Sequence, residues 1–319
     1  MFSRADAERL REGLPALDFS GATTTDPLLA RYCSHYGLEV ESGGLEASHQ
    51  AGIMESGPYR LVCHYFKPPK SQGSVFLLHG YFDHSGLYGH LIRHCLGLGY
   101  AVVIFDLPGH GLSSGDEASI DSFARYCEAL LDCLRLARAK NLARPWHVIG
   151  QSTGGAILID SLLHHDLQRH GQFERLILLA PLLRPRNWTR SLFLFRVSRW
   201  LRRATRRRFS ENSHDRAFLD FLREQDALQS RQLPRDWVLA LMDYLHRFRL
   251  AQPCDTPLQI IQGTDDGTVD WANNLARLEE KFPQTHIRMV EGARHHLVNE
   301  SPAYRDEVFK LITEVTMED

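Results

Sequence analysis

No two cysteines of this chain stand in a C-x-x-C spacing; the six are scattered at 33, 63, 95, 127, 133 and 254. Cys63, Cys95, Cys127 and Cys133 fall in segments that read as strand or helix, so free buried thiols in a reducing compartment are expected. An excess of one charge is also missing. The 37 Lys and Arg nearly balance the 39 Asp and Glu, and a net charge of −2 gives no global reason to expect nucleic acid as a partner. Long hydrophobic runs are absent as well. The most apolar stretch, Leu192 to Val197, contains Arg196 and is far too short to span a bilayer. The opening MFSRADAERLREGL reads as a charged helix rather than a signal peptide, because no apolar segment follows it. The expectation is a soluble cytoplasmic protein with no repeat, no low-complexity tract, no phosphate-binding glycine loop and no metal-ligand spacing, hence neither cofactor nor metal.

What the chain does have is 43% apolar residues over 319 positions, enough for a large α/β domain with an insertion. Two strand-like segments, 48–55 and 59–66, flank the turn signal Gly57-Pro58. Short continuous apolar runs follow: SVFLLHG (74–80), YAVVIFDLPG (100–109), PWHVIGQ (145–151), FERLILLAP (173–181), TPLQIIQG (256–263) and THIRMVEG (285–292). Helix-like segments at 86–98, 119–140, 153–166, 271–281 and 302–315 lie between or after them. Runs of this kind, most of them leading through a loop to a helix, predict an α/β fold with a mostly parallel sheet covered on both faces. Residues 183–253 break the alternation. They predict a helical cap inserted into a core made of 1–182 and 254–319.

Gly150-Gln151-Ser152-Thr153-Gly154 fits G-x-S-x-G and lies between a strand and a helix, the context that gives the motif meaning. A serine at so tight a turn is lifted clear of the sheet, and side chains at Gly150 or Gly154 would strike the neighbouring strand or helix. The Thr153 amide, at the helix N-terminus, can face an oxyanion. The serine needs a base and the base an orienting acid. Seventeen histidines make any one uninformative, so position decides. The strand LQIIQG opens into TDDGTVDW and the strand HIRMVEG into ARHHLVNE, giving the chain order Ser, Asp, His. Asp265, Asp266 and Asp270 remain candidates for the acid, His295 and His296 for the base.

HGYFDHSGLY (79–88), DLPGHGLSSG (106–115), GQSTGG (150–155), GTDDGTVD (263–270) and EGARHHLVNE (291–300) together resemble the monoacylglycerol lipase and lysophospholipase branch of the α/β-hydrolases, also labelled serine aminopeptidase-like. The resemblance covers nearly the whole chain except the cap and the N-terminal helix. It implies that Asp266 is the acid, through the pattern G-x-x-D on Gly263, and that His295 is the base, through E-G-A-x-H. It also implies that the Tyr81 amide, after Gly80, is the second oxyanion donor. His296 is then a packing or substrate-facing neighbour, and His79 and His110 are structural. The commoner elbow of the branch is G-H-S-M-G; here Gln151 and Thr153 flank the serine.

From Arg184 to Arg208 the chain carries ten arginines and no acid. Helical spacing would put Phe193, Val197, Trp200 and Ala204 on one stripe and Arg196, Arg199, Arg203 and Arg206 on another. Two readings stay open: peripheral contact with an anionic membrane or phosphorylated substrate, or a solvated face paired to the acidic 211–225 segment. With Trp237 to Phe248, the cap makes an apolar lid suited to an acyl chain. The expected function is hydrolysis of monoacylglycerols, lysophospholipids or similar esters. A prolyl-aminopeptidase, a thioester or lactone hydrolase, and a non-catalytic ligand-binding or membrane-docking protein are the rivals. The oligomeric state is left open.

Overall fold

The computed structural model describes residues 2–39, 44–190, 192, 203–207 and 209–317. Two short helices, α1 (Arg4–Gly13) and α2 (Pro27–Tyr36), precede the sheet. Ser3 and Asp6 form a reciprocal capping box on α1, and Asp26 caps α2 by accepting from the Leu28 and Leu29 amides. Then follow β1 (Ser48–Ser56), β2 (Tyr59–Lys67), β3 (Ser74–Leu78), α3 (Gly89–Gly97), β4 (Ala101–Phe105), α4 (Phe123–Ala139), β5 (Trp146–Gln151), α5 (Thr153–His164), α6 (Leu167–Gly171) and β6 (Phe173–Leu179). After residue 253 come β9 (Leu258–Gly263), α9 (Trp271–Lys281), β10 (Thr285–Val290) and α10 (Pro302–Met317).

The eight main strands form one sheet in the order β1-β2-β4-β3-β5-β6-β9-β10. Only the pairings of β2, with β1 and β4, are antiparallel. Every residue of β3, β4 and β5 is buried, which is why these runs show no polar alternation. Val75, Leu77, Val102 and Ile104 face the side covered by α1, α2, α3 and α10, whereas Phe76, Leu78, Val103 and Phe105 face the side covered by α4, α5 and α9. Each such aliphatic side chain contributes about 1.5–3 kcal/mol by leaving water. All six cysteines are free. No helix among the described residues is long and apolar enough to cross a membrane.

The described part of 183–253 contains α7 (Arg216–Glu224), α8 (Arg235–Leu250) and a two-stranded antiparallel ribbon, β7 (Ala204–Arg206) with β8 (Gln232–Pro234). The ribbon corrects the helical reading of the arginine stripe at its end: Ala204 and Arg206 are in a strand. Arginines at i, i+3 and i+4 repel one another on a helix. In the ribbon, Thr205 pairs with Leu233, and the Arg203 carbonyl accepts from the Arg235 amide at 2.9 Å. Phe193, Arg196, Val197, Arg199 and Trp200 lie outside the described residues.

Candidate active site

β5 ends at Gln151 and α5 begins at Thr153, leaving Ser152 between them at φ 52°, ψ −107°. A residue with a Cβ reaches that region at a cost on the order of 1–3 kcal/mol, so neighbours must impose it. The Ser152 amide donates to the Leu179 carbonyl at 2.8 Å, and its own carbonyl accepts from Leu182 and Ala156, each at 3.0 Å. A Cβ on Gly154 would lie 2.2 Å from the Leu78 carbonyl oxygen, and one on Gly150 would lie 2.6 Å from Gly154. Gly154 therefore lets the elbow press against β3, and Gly150 lets the end of β5 press against the first turn of α5. Thr153 is the first residue of α5, so its amide has no acceptor within the helix.

Asp266 follows β9, and His295 follows β10. His295 Nε2 lies 2.9 Å from Ser152 Oγ, and His295 Nδ1 lies 2.7 Å from Asp266 Oδ2. Asp266 Oδ1 accepts from the Thr268 and Val269 amides at 2.8 and 3.1 Å, and Oδ2 accepts from Gln262 Nε2 at 3.1 Å. Burial works against the Asp266 carboxylate, but His295 and these donors outweigh it and hold its pKa below the ordinary 3.8. Burial likewise works against charged His295, and the Asp266 carboxylate reverses the balance, raising its pKa above 6.5. With the carboxylate on Nδ1, the imidazole carries its proton there and presents a free Nε2 lone pair to the serine hydroxyl. Asp265 instead pairs with Arg294 at 3.3 Å, and Asp270 with Arg184 at 3.6 Å.

His296 turns away from its neighbour. Its Nε2 lies 3.1 Å from Asp83 Oδ2, and both side chains are buried. Asp83 also accepts from the Tyr88 hydroxyl at 3.2 Å, which in turn accepts from the Gly80 amide at 2.9 Å. Gly80 packs so near the serine that a Cβ there would lie 3.6 Å from Ser152 Cβ, bringing the Tyr81 loop against the elbow. His79 accepts from the Leu107 amide through Nε2 (2.9 Å) and donates through Nδ1 to the Gly80 carbonyl (2.8 Å). These two partners fix it as a neutral strut. His110 donates to the Pro108 carbonyl at 2.9 Å.

Three participants escaped the sequence reading. Gln151 Nε2 donates to the His295 carbonyl at 2.9 Å, tying the elbow to the histidine loop. Its only signal was the departure from the commoner motif. Gln262 and Asp83 had none, since a buried polar side chain at a strand end looks like any surface one until its partners are known. One group among the described residues has spacing compatible with a cation: Cys127, Asp160 and His165. There Arg247 already bonds both Asp160 oxygens, at 2.7 and 3.0 Å.

Comparison with known proteins places residues 69–302 on the family model described as "Serine aminopeptidase, S33". The chain is 26% identical to the monoglyceride lipase of Homo sapiens over 82% of its own length and 87% of that protein. It is also 26% identical to the phospholipase YtpA of Bacillus subtilis, over 77% of the chain and 95% of that protein. Among solved structures, a soluble variant of the monoglyceride lipase of Saccharomyces cerevisiae superposes with a TM-score of 0.70 at 17% identity, covering 82% of this chain and 92% of that one.

Proposed function

The chain belongs to the S33 serine aminopeptidase family of α/β-hydrolases, and on that premise we propose that it hydrolyses carboxylic esters of acyl chains, of the monoacylglycerol or lysophospholipid kind, with Ser152 as nucleophile. The observation that carries the proposal is the unbroken hydrogen-bonded series Ser152–His295–Asp266, all three side chains buried at the carboxyl edge of the sheet. His295 Nε2 takes the hydroxyl proton as Oγ bonds to the ester carbonyl carbon. Asp266 holds the ring and stabilises the imidazolium, and the Tyr81 and Thr153 amides receive the oxyanion. His295 then returns the proton to the departing alcohol. Water, deprotonated by the same nitrogen, releases the acid from the acyl-enzyme.

The lipid preference rests on the named activities of the relatives and on the aromatic lining of the proposed cap, 183–253. The Trp237 ring lies on Tyr81, the residue after Gly80, and 6.1 Å from the Phe123 ring. A peptidase would want unpaired acids there to hold a substrate amine, and the nearby acid Asp83 is engaged by His296. Parallel assays with p-nitrophenyl acyl esters and proline anilide test the assignment: ester turnover is expected to dominate, and faster anilide cleavage would overturn it. A fluorophosphonate probe is expected to form its adduct on Ser152; no adduct would end the catalytic reading. The arginines of 184–208 favour an anionic membrane as the surface on which such substrates are met. Vesicle binding that survives their neutralisation would remove that part of the proposal.

A further inference from the structure

Both residues of the presumed oxyanion loop that follow Gly80 are gripped by side chains of the inserted segment. The Tyr81 ring lies face to face on Trp237, centroids 3.7 Å apart and planes 13° from parallel, while its hydroxyl donates to the Ala118 carbonyl at 2.6 Å. The Phe82 ring receives the Arg207 guanidinium 4.0 Å from its centroid, and the Phe209 ring lies 4.5 Å from the same guanidinium carbon. Arg207 is itself fixed. Its Nη1 donates to Gln229 Oε1 and to the Ser230 carbonyl, and its amide donates to the Arg231 carbonyl. Arg207 directly follows β7, and Trp237 is the third residue of α8, which directly follows β8. Because β7 and β8 are paired, the two grips come from one unit.

Phe82 needs a grip. It stands at φ 70°, a left-handed conformation that is a genuine outlier for a bulky side chain. Strain of this kind persists only where the surroundings over-determine it. Here the surroundings are the Arg207 guanidinium on the ring of Phe82 and the Trp237 indole on the ring before it.

We propose that Arg207 and Trp237 are positioning residues for the oxyanion site: by clamping Phe82 and Tyr81 they set the direction of the Tyr81 amide toward Ser152. The inserted segment then completes the catalytic site as well as covering it. This rests on the assignment of Ser152 and the Tyr81 amide made above. The competing role is passive, with both side chains merely lining the acyl channel. The two differ in what they do to a substrate too short to touch that channel.

The test uses full-length enzyme, p-nitrophenyl acetate and a short alkyl trifluoromethyl ketone, whose adduct with serine carries the oxyanion. Arg207→Met is expected to lower kcat by about ten- to hundredfold with KM held within about twofold. Affinity for the ketone falls by the same factor. Phe82→Gly, which tolerates the left-handed backbone without a clamp, is expected to shrink the effect of Arg207→Met made in the same chain. Trp237→Leu repeats the pattern, and Arg207→Lys, lacking the planar stack, serves if the methionine variant does not fold. A raised KM with kcat and ketone affinity unchanged overturns the proposal, as does an Arg207→Met effect that is undiminished beside Phe82→Gly. A wild-type enzyme without a fluorophosphonate adduct at Ser152 fails one step earlier, overturning the catalytic assignment and the clamp with it.

Discussion

The sheet core and segment 183–253 share apolar packing but differ in how much they rest on single polar contacts. In the core, β3, β4 and β5 are buried along their whole length and each packs two ways, into helices on either face. The presumed chemical groups stand just beyond strand ends: Tyr81 after β3, Ser152 after β5, Asp266 after β9 and His295 after β10. Segment 183–253 joins the same apolar cluster through Trp237, Leu241 and Phe248 and adds pairwise contacts to it. Arg247 bonds Asp160, the Tyr244 ring stacks on Phe123 at 4.9 Å, and Asp226 meets the Tyr36 hydroxyl at 2.8 Å and His84 at 3.1 Å. Diffuse apolar burial tolerates local change, whereas a pairwise polar contact is lost whole when one partner goes. A change at a strand-end group should therefore cost activity before stability, and a change at a buried ion pair between the two regions the reverse.

The largest expected effect tests the first half. Asp266→Asn keeps the side-chain size and one oxygen for the Thr268 and Val269 amides, yet removes the charge that selects the tautomer of His295. On the precedent of the equivalent change in a serine protease, kcat should fall by about ten-thousandfold. The thermal midpoint should move little. Retained activity would mean that Asp265 or Asp270 takes the role, and the strand-end logic of the core would be broken.

That logic is also why so much of the core was legible. Continuous apolar runs end at the proposed chemical residues, and the elbow glycines announce a close approach: a Cβ at Gly154 would lie 2.2 Å from the Leu78 carbonyl oxygen. The strands observed over 74–78, 101–105, 146–151, 173–179, 258–263 and 285–290 all sit inside the expected runs. The network around Asp83 and His296 was invisible, because its members are distant in sequence and each is an ordinary polar residue in isolation. The β7–β8 ribbon was missed for a related reason. Three-residue strands carry no period, and the arginine spacing there imitates a helix.

The second half of the comparison is tested where α8 meets α5. Asp160 is 1% exposed and accepts both terminal nitrogens of Arg247. Arg247→Ala leaves that carboxylate buried without its charge partner, and the loss should be about 3 kcal/mol in a urea titration. Asp160→Asn in the same chain should return much of it, since the uncompensated charge is then gone. A loss below about 0.5 kcal/mol, the level of an ordinary surface substitution, would show that the inserted segment does not depend on this contact.

Titration gives the smallest effect per pH unit and separates the two properties within the core itself. Burial pushes His64 down to about 4 and His110 down to about 3. Their folded values lie below the ordinary 6.5, so the unfolded chain takes up protons that the fold refuses. Each should therefore lower stability by about 1.4 kcal/mol per pH unit as pH drops from 6.5 toward those values. His84 and His295 are displaced the other way: burial opposes their charge, but Asp226 and Asp266 respectively prevail. Their contribution is complete below 6.5 and is lost as pH rises through the raised values. Stability measured by denaturant titration should then peak near 6.5, with opposite slopes on its two sides. Ester turnover requires neutral His295, so kcat/KM should rise with pH through a midpoint above 6.5, where stability is already declining. An activity midpoint below 6.5 would mean that the pairing with Asp266 does not govern the base.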